Sequence, residues 1–222
     1  MSSNSQRSDK APPPIHALSQ IISPLRLGTY LNATGHDPER ALALYLWNAK
    51  VGEAFHLPIQ AVEVALRNRL SDGLAMAYGP EWWRDEPFLR MSRHGCREKI
   101  DEVCRRLERS GKPIETGQVI AGLSFGFWTS VLHGHYHSAI WSRHLDSAIP
   151  SLPTGITRRE LHREAGRVAD FRNRLWHHEP IFRRDLLSDY SRCMNLTGWL
   201  CPEKRDWIKP HCRVAAIMRE KP

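Results

Sequence analysis

From residue 37 onward the apolar side chains recur at the three- and four-residue steps of an α-helix, and Pro or Gly stands where that recurrence stops. The clearest run follows Pro58, where Ile59, Val62, Leu66, Leu70 and Leu74 form one stripe that ends before Gly79-Pro80. Asp37-Pro38-Glu39-Arg40 supplies an N-cap with Pro at the first helical position and opens an apolar segment through Phe55. Trp82-Trp83 is expected in a loop folded back on the core. Cys96 to Arg109 alternates charges with Ile100, Val103, Cys104 and Leu107, a solvated helix with a thin apolar face, broken at Gly111-Lys112-Pro113. Thr116 to Leu132 is apolar, with Gly117, Gly122 and Gly126 permitting close helix approach. Pro150 and Pro153 bracket a loop, a long helix is expected from near Thr157 to about His177, and two more fit 183–198 and 203–219. No segment alternates as a strand would, so the expected class is all-α. Residues 1–14, ending in Pro12-Pro13-Pro14, are expected to be a disordered tail, and 15–222 a single helical domain.

The balance of 32 Lys+Arg against 24 Asp+Glu gives a net charge of +8, which favours a polyanionic partner. No apolar run is long enough to span a bilayer, and the polar start, Met1 to Lys10, lacks the apolar core of a secretory signal. Five widely spaced cysteines without a CxxC pair suit reduced thiols in a cytoplasm rather than a disulfide framework or zinc.

The chemically informative segment is Arg172-Asn173-Arg174-Leu175-Trp176-His177-His178-Glu179-Pro180. On a helical projection Arg172 falls within the stripe marked by Leu161, Ala165, Val168 and Leu175. A guanidinium there must be met by a carboxylate, a phosphate or a partner chain. Glu63 lies near the apolar stripe of its own helix and could pair with Arg172, or with Arg67 one turn along. His177 lies about 140° round an ideal helix from Arg172, but Pro180 should end the helix near His178 and free either imidazole to turn. Imidazole beside guanidinium suits phosphodiester transfer. Leu66-Arg67-Asn68-Arg69-Leu70 echoes Phe171-Arg172-Asn173-Arg174-Leu175, with Asp72 where His177 would stand, so that copy should not cleave.

The Arg-x4-His spacing with Asn after the Arg (Arg172, Asn173, His177) resembles the signature of the HEPN superfamily of helical ribonucleases. Arg172 to Phe182 looks more narrowly like the Abi-like proteins of phage abortive-infection systems. Arg40 to Asn48, Glu63 to Asn68, Gly79 to Trp83 and Ser124 to Trp128 resemble that family in the same order, so the likeness covers roughly residues 25–200. The resemblance implies a HEPN-like helical bundle with flanking helices. It also implies a homodimer whose two motifs line one cleft, and cleavage of RNA without a metal or cofactor. A protein or RNA antitoxin is a possible partner. Carried over, His177 is the acid–base, Arg172 holds the scissile phosphate, and Asn173 orients the motif or donates to phosphate. Glu63, Arg67, Asn68 and His178 are supporting residues. Trp176, inside the motif, is expected to flank the cleft, and Arg105, Arg106, Arg183 and Arg184 are candidates for phosphate contacts. The alternating His133, His135 and His137 read as surface histidines near a basic groove rather than as metal ligands. Two other readings remain: a catalytically silent helical dimer that binds RNA or nucleotide, and an adaptor using the basic face to hold a partner protein.

Overall fold

A computed structural model describes residues 15–93 and 95–222; the expected N-terminal tail lies outside the described residues. Among these the chain is all helical, with no strand and no helix long and apolar enough to cross a membrane. The helices are α1 (Ile15–Ile22), α2 (Pro24–Ala33), α3 (Pro38–Ala54), α4 (His56–Tyr78), α5 (Glu86–Met91), α6 (Cys96–Arg109), α7 (Thr116–Gly122), α8 (Phe125–Val131), α9 (Ser142–Ala148), α10 (Arg158–Trp176), α11 (Leu186–Leu200), α12 (Pro202–Ile208) and α13 (Val214–Met218).

The organising element is α4. Its stripe Ile59, Val62, Leu66, Leu70 and Leu74 is wholly buried, each side chain stabilising the fold by about 1.5–3 kcal/mol. Ala61 and Ala65 widen that face, so α4 receives α8, α9, α11 and α12 around it. Gly73 lets Trp141 approach: a Cβ built there would meet Trp141 Cζ3 at 2.5 Å. Among the buried indoles, Trp82 Nε1 donates to Ser71 Oγ at 3.0 Å and Trp141 Nε1 to the Val131 carbonyl at 2.8 Å, while Trp128 Nε1 finds no acceptor among the described residues. Trp82 and Trp83 do fold back, in a short 3-10 turn.

The other elements follow their local chemistry. Asp37 caps α3 by accepting from the Glu39 and Arg40 amides. The stretch 116–132 divides into α7 and α8 because Ser124 caps a new helix, its hydroxyl accepting from Phe127 N–H. Of the three glycines in that stretch only Gly122 serves a close approach, toward Val103 of α6. Residues 203–219 form α12, a 3-10 turn at Lys209–His211 and α13 rather than one helix, since Pro210 interrupts the pattern. The segment 137–148, a π-helical turn (His137–Trp141) running into α9, had no strong stripe to announce it.

Candidate functional site

Helix α10 carries the motif and is closed at both ends by side-chain and backbone chemistry. At its start Thr157 and Glu160 form a reciprocal capping box, the Thr157 hydroxyl accepting from Glu160 N–H and the Glu160 carboxylate from Thr157 N–H. At its end the His178 amide donates to Leu175 O at 3.0 Å and the Glu179 amide to Arg174 O at 2.9 Å. This is a Schellman turn, in which the position after the cap is left-handed. That position is His178, at φ 54°, where glycine is the usual occupant. The helix therefore stays regular through Trp176, with His177 as its C-cap.

The buried stripe of α10 is Leu161, Ala165, Val168 and Phe171. Leu175 is only half-buried and Arg172, placed within the stripe by the sequence, lies at its edge with its side chain 29% exposed. The stripe leans toward Phe171 because that ring packs edge-on against Phe55, with centroids 4.7 Å apart. Arg172 Nε donates to Glu63 Oε1 of α4 at 2.9 Å, and its guanidinium carbon lies 4.6 Å from the Trp176 ring centroid. Its other N–H groups make no hydrogen bond among the described residues. A carboxylate thus holds the inner edge of the fork, an indole covers one face, and the outer edge is left for a ligand's oxygens. Trp176, 43% exposed, in turn stacks on His56 of α4, with centroids 6.0 Å apart.

Glu63 has taken Arg172 and not Arg67, the two alternatives its spacing allowed. Arg67, on the echo of the motif, has a buried Nε without a partner among the described residues; burial, and then the Arg67 charge, lower the pKa of Lys204 on α12. Asn68 and Asp72 are exposed. The echoing helices α4 and α10 are bridged by the Glu63–Arg172 and His56–Trp176 contacts, while both pack on α8 and α11.

His177 and His178 are both exposed, and neither ring makes a hydrogen bond among the described residues. The His178 carbonyl accepts from Arg26 Nη1 at 3.1 Å. His178 lines a hollow of about 650 Å³ with Arg26, Tyr45, Gly52 and Trp176. Asn173 opens on a different hollow, about 470 Å³, lined by Arg167, Arg174, Arg184 and Arg192 with Asp170 and Glu179. Its arginines are braced by carboxylates: Arg174 by Glu179, Arg184 and Arg192 by Asp189, Arg167 and Arg192 by Glu164. Arg184 also borders a third hollow, of about 620 Å³, with Arg183, Arg40 and Lys221. Arg105 and Arg106 sit exposed on α6, where Arg106 Nη2 donates to the Gly122 carbonyl; they border none of these hollows.

The residue that motif reasoning passed over is His56. It precedes Glu63 by seven residues, two helical turns, so a projection centred on Glu63 places it on the same face. Among the described residues no group of three His, Cys, Asp or Glu side chains is arranged to hold a metal ion. Compared with protein-family models, curated proteins and solved structures, the chain matches none.

Proposed function

We propose that the chain is an endoribonuclease of the phage-defence or toxin type, acting in the cytoplasm as a homodimer and cutting RNA by attack of the ribose 2′-OH. The observation that carries this reading is Arg172: fixed by Glu63, faced by Trp176, and open on its outer edge, one turn before two exposed imidazoles. In the reaction an imidazole takes the 2′-OH proton as that oxygen bonds to phosphorus. The bond from phosphorus to the 5′-oxygen breaks, and the leaving oxygen receives a proton. The guanidinium edge would stabilise charge on the phosphoryl oxygens, and Asn173 would orient the motif or donate to phosphate. The products are a 2′,3′-cyclic phosphate and a 5′-hydroxyl. The net charge of +8 and the hollow bordered by Arg40, Arg183, Arg184 and Lys221 suit an RNA backbone. A site shared by two chains answers the separation of Arg172 from His177 in one chain. The exposed Trp176, Leu46 and Leu25 are surface that a second copy would cover. A protein or RNA antitoxin would then restrain the site.

The same separation favours a second reading, a silent dimer that grips RNA or nucleotide with Arg172 as phosphate clamp. One experiment divides them: purified protein, total RNA and EDTA, with Arg172→Ala and His177→Ala as controls. The nuclease reading expects cleavage in EDTA that both substitutions abolish, and resistance of 2′-O-methyl substrates. Binding without cleavage selects the clamp.

A further inference from the structure

The end of α10 remote from Arg172 gathers basic groups without a counter-charge. His133, in the turn after α8, and His162, in the first turns of α10, meet edge to face with ring centroids 5.9 Å apart. His133 Nδ1 accepts from the His135 amide at 3.1 Å, so the proton of the neutral ring sits on Nε2. Arg158 is anchored by its bond to the Leu132 carbonyl, and the Arg93 amide donates to Tyr136 Oη at 3.1 Å, which ties Arg93 to the same turn. Arg93, Arg158 and Arg159 form no ion pair among the described residues. Burial first, and then Arg93, Arg158 and the neighbouring imidazoles, lower the pKa of both His133 and His162. The charges that lower the two rings are all cationic: Arg93, Arg158 and His135 for His133, and Arg158, His133 and Arg93 for His162.

The two sides of α10 differ in kind. Glu160, Arg163, Glu164, Arg167 and Arg174 lie on one side, joined in ion pairs among themselves and to Arg192 and Glu179. Arg158, His162, Ala169, Arg172 and Trp176 fall within an arc of about 80° on the other side, which has no carboxylate of its own. At 1.5 Å per residue, His162 and Arg172 are about 15 Å apart along the axis, a reach of a few nucleotides.

We propose that Arg93, Arg158, His133 and His162 form a second phosphate subsite, which takes a backbone phosphate a few nucleotides along the RNA strand from the one at Arg172. The inference rests on the RNA reading above. A phosphate would supply the missing counter-charge and favour the protonated rings, so binding takes up protons. Affinity therefore rises as the pH falls. If loading raises one ring by a single pKa unit, the strand binds about tenfold more tightly on the acid side than on the alkaline side.

The test is binding of a short 2′-O-methyl oligoribonucleotide between pH 7.5 and 5.5, with the histidine ring signals followed by NMR. We expect binding to tighten several-fold by pH 5.5, on the way to the acid limit, with the His133 and His162 rings titrating at higher pH when the strand is present. Arg93→Gln with His162→Gln should abolish the pH-dependent gain; a melting curve checks that this variant folds, and Arg93→Gln alone should halve the logarithmic gain. Rings that do not respond overturn the subsite, as does a response to inorganic pyrophosphate but not to RNA. Tighter binding to phosphatidylglycerol vesicles than to RNA overturns it too. The rings report whether or not RNA is cut: responding rings without cleavage of unmodified RNA sink the nuclease and leave the subsite, whereas cleavage with silent rings does the reverse.

Discussion

At Arg172 the same neighbours make opposite demands on stability and on chemistry. Its ion pair with Glu63 is more than a quarter exposed on both sides, and such a pair contributes about 0–1 kcal/mol. Glu63→Gln should therefore shift the melting temperature by no more than about 4 °C. If the fixed guanidinium is what receives the phosphate, the same variant should lose about tenfold or more in RNA cleavage or affinity, measured beside that melt. His178 makes the opposite prediction. A non-glycine residue in the left-handed position costs about 1–2 kcal/mol, of which glycine's greater chain entropy gives back about half. His178→Gly should stabilise the fold by about 0.5–1 kcal/mol in denaturant melts, and cleavage surviving in that variant would assign the acid–base role to His177. The sequence carried Arg172 and its carboxylate partner because charge near a buried stripe demands an opposite charge. It could not carry the left-handed turn at His178, which leaves no compositional mark; the face of His56 was legible from its seven-residue spacing to Glu63, but its stacking on Trp176 was not.

At the scale of elements, helices announced themselves where a stripe and a cap coincided. Asp37-Pro38 opened α3, the Ile59–Leu74 stripe marked α4, and Cys96–Arg109 matched α6 end to end. Where a cap interrupts an apolar run, as Ser124 does, or a proline splits a weak stripe, as Pro210 does, the pattern alone overestimated helix length. Glycines sharpen the contrast between surfaces that are occupied and surfaces that are open. Gly73→Ala would drive a methyl into Trp141 and should cost about 1–3 kcal/mol by overpacking. Gly166, midway along α10, has nothing within 4 Å of its would-be Cβ, so Gly166→Ala should stabilise by about 0.4–1 kcal/mol. Urea titrations of the two variants should move in opposite directions.

For the molecule as a whole, the depressed His133 and His162 have a signed consequence. Their folded pKa values lie below the unfolded value of about 6.5, so their contribution is fully present above that pH. It is lost as the pH falls through the folded values. Glu164, held low against burial by Arg163, Arg192 and Arg167, behaves likewise from its unfolded value of about 4.5 downward. Thermal melts should therefore show two successive acid losses, the first removed by His133→Asn with His162→Asn. Light scattering at micromolar concentration should give about twice the chain mass of 25.6 kDa if two chains complete the site. One feature of the fold bears on its timing. The Trp47 indole of α3 donates at 2.7 Å to the carbonyl of Ile217 on α13, and the Lys221 ammonium lies 5.3 Å from the Trp47 ring centroid. This contact closes a loop of 170 residues, the kind of closure that slows folding more than it alters stability. The bond thus clasps α3 to α13 across most of the described chain. A chain cut before Ile217 lacks that clasp, and its buried Trp47 indole N–H loses the acceptor that this carbonyl provides.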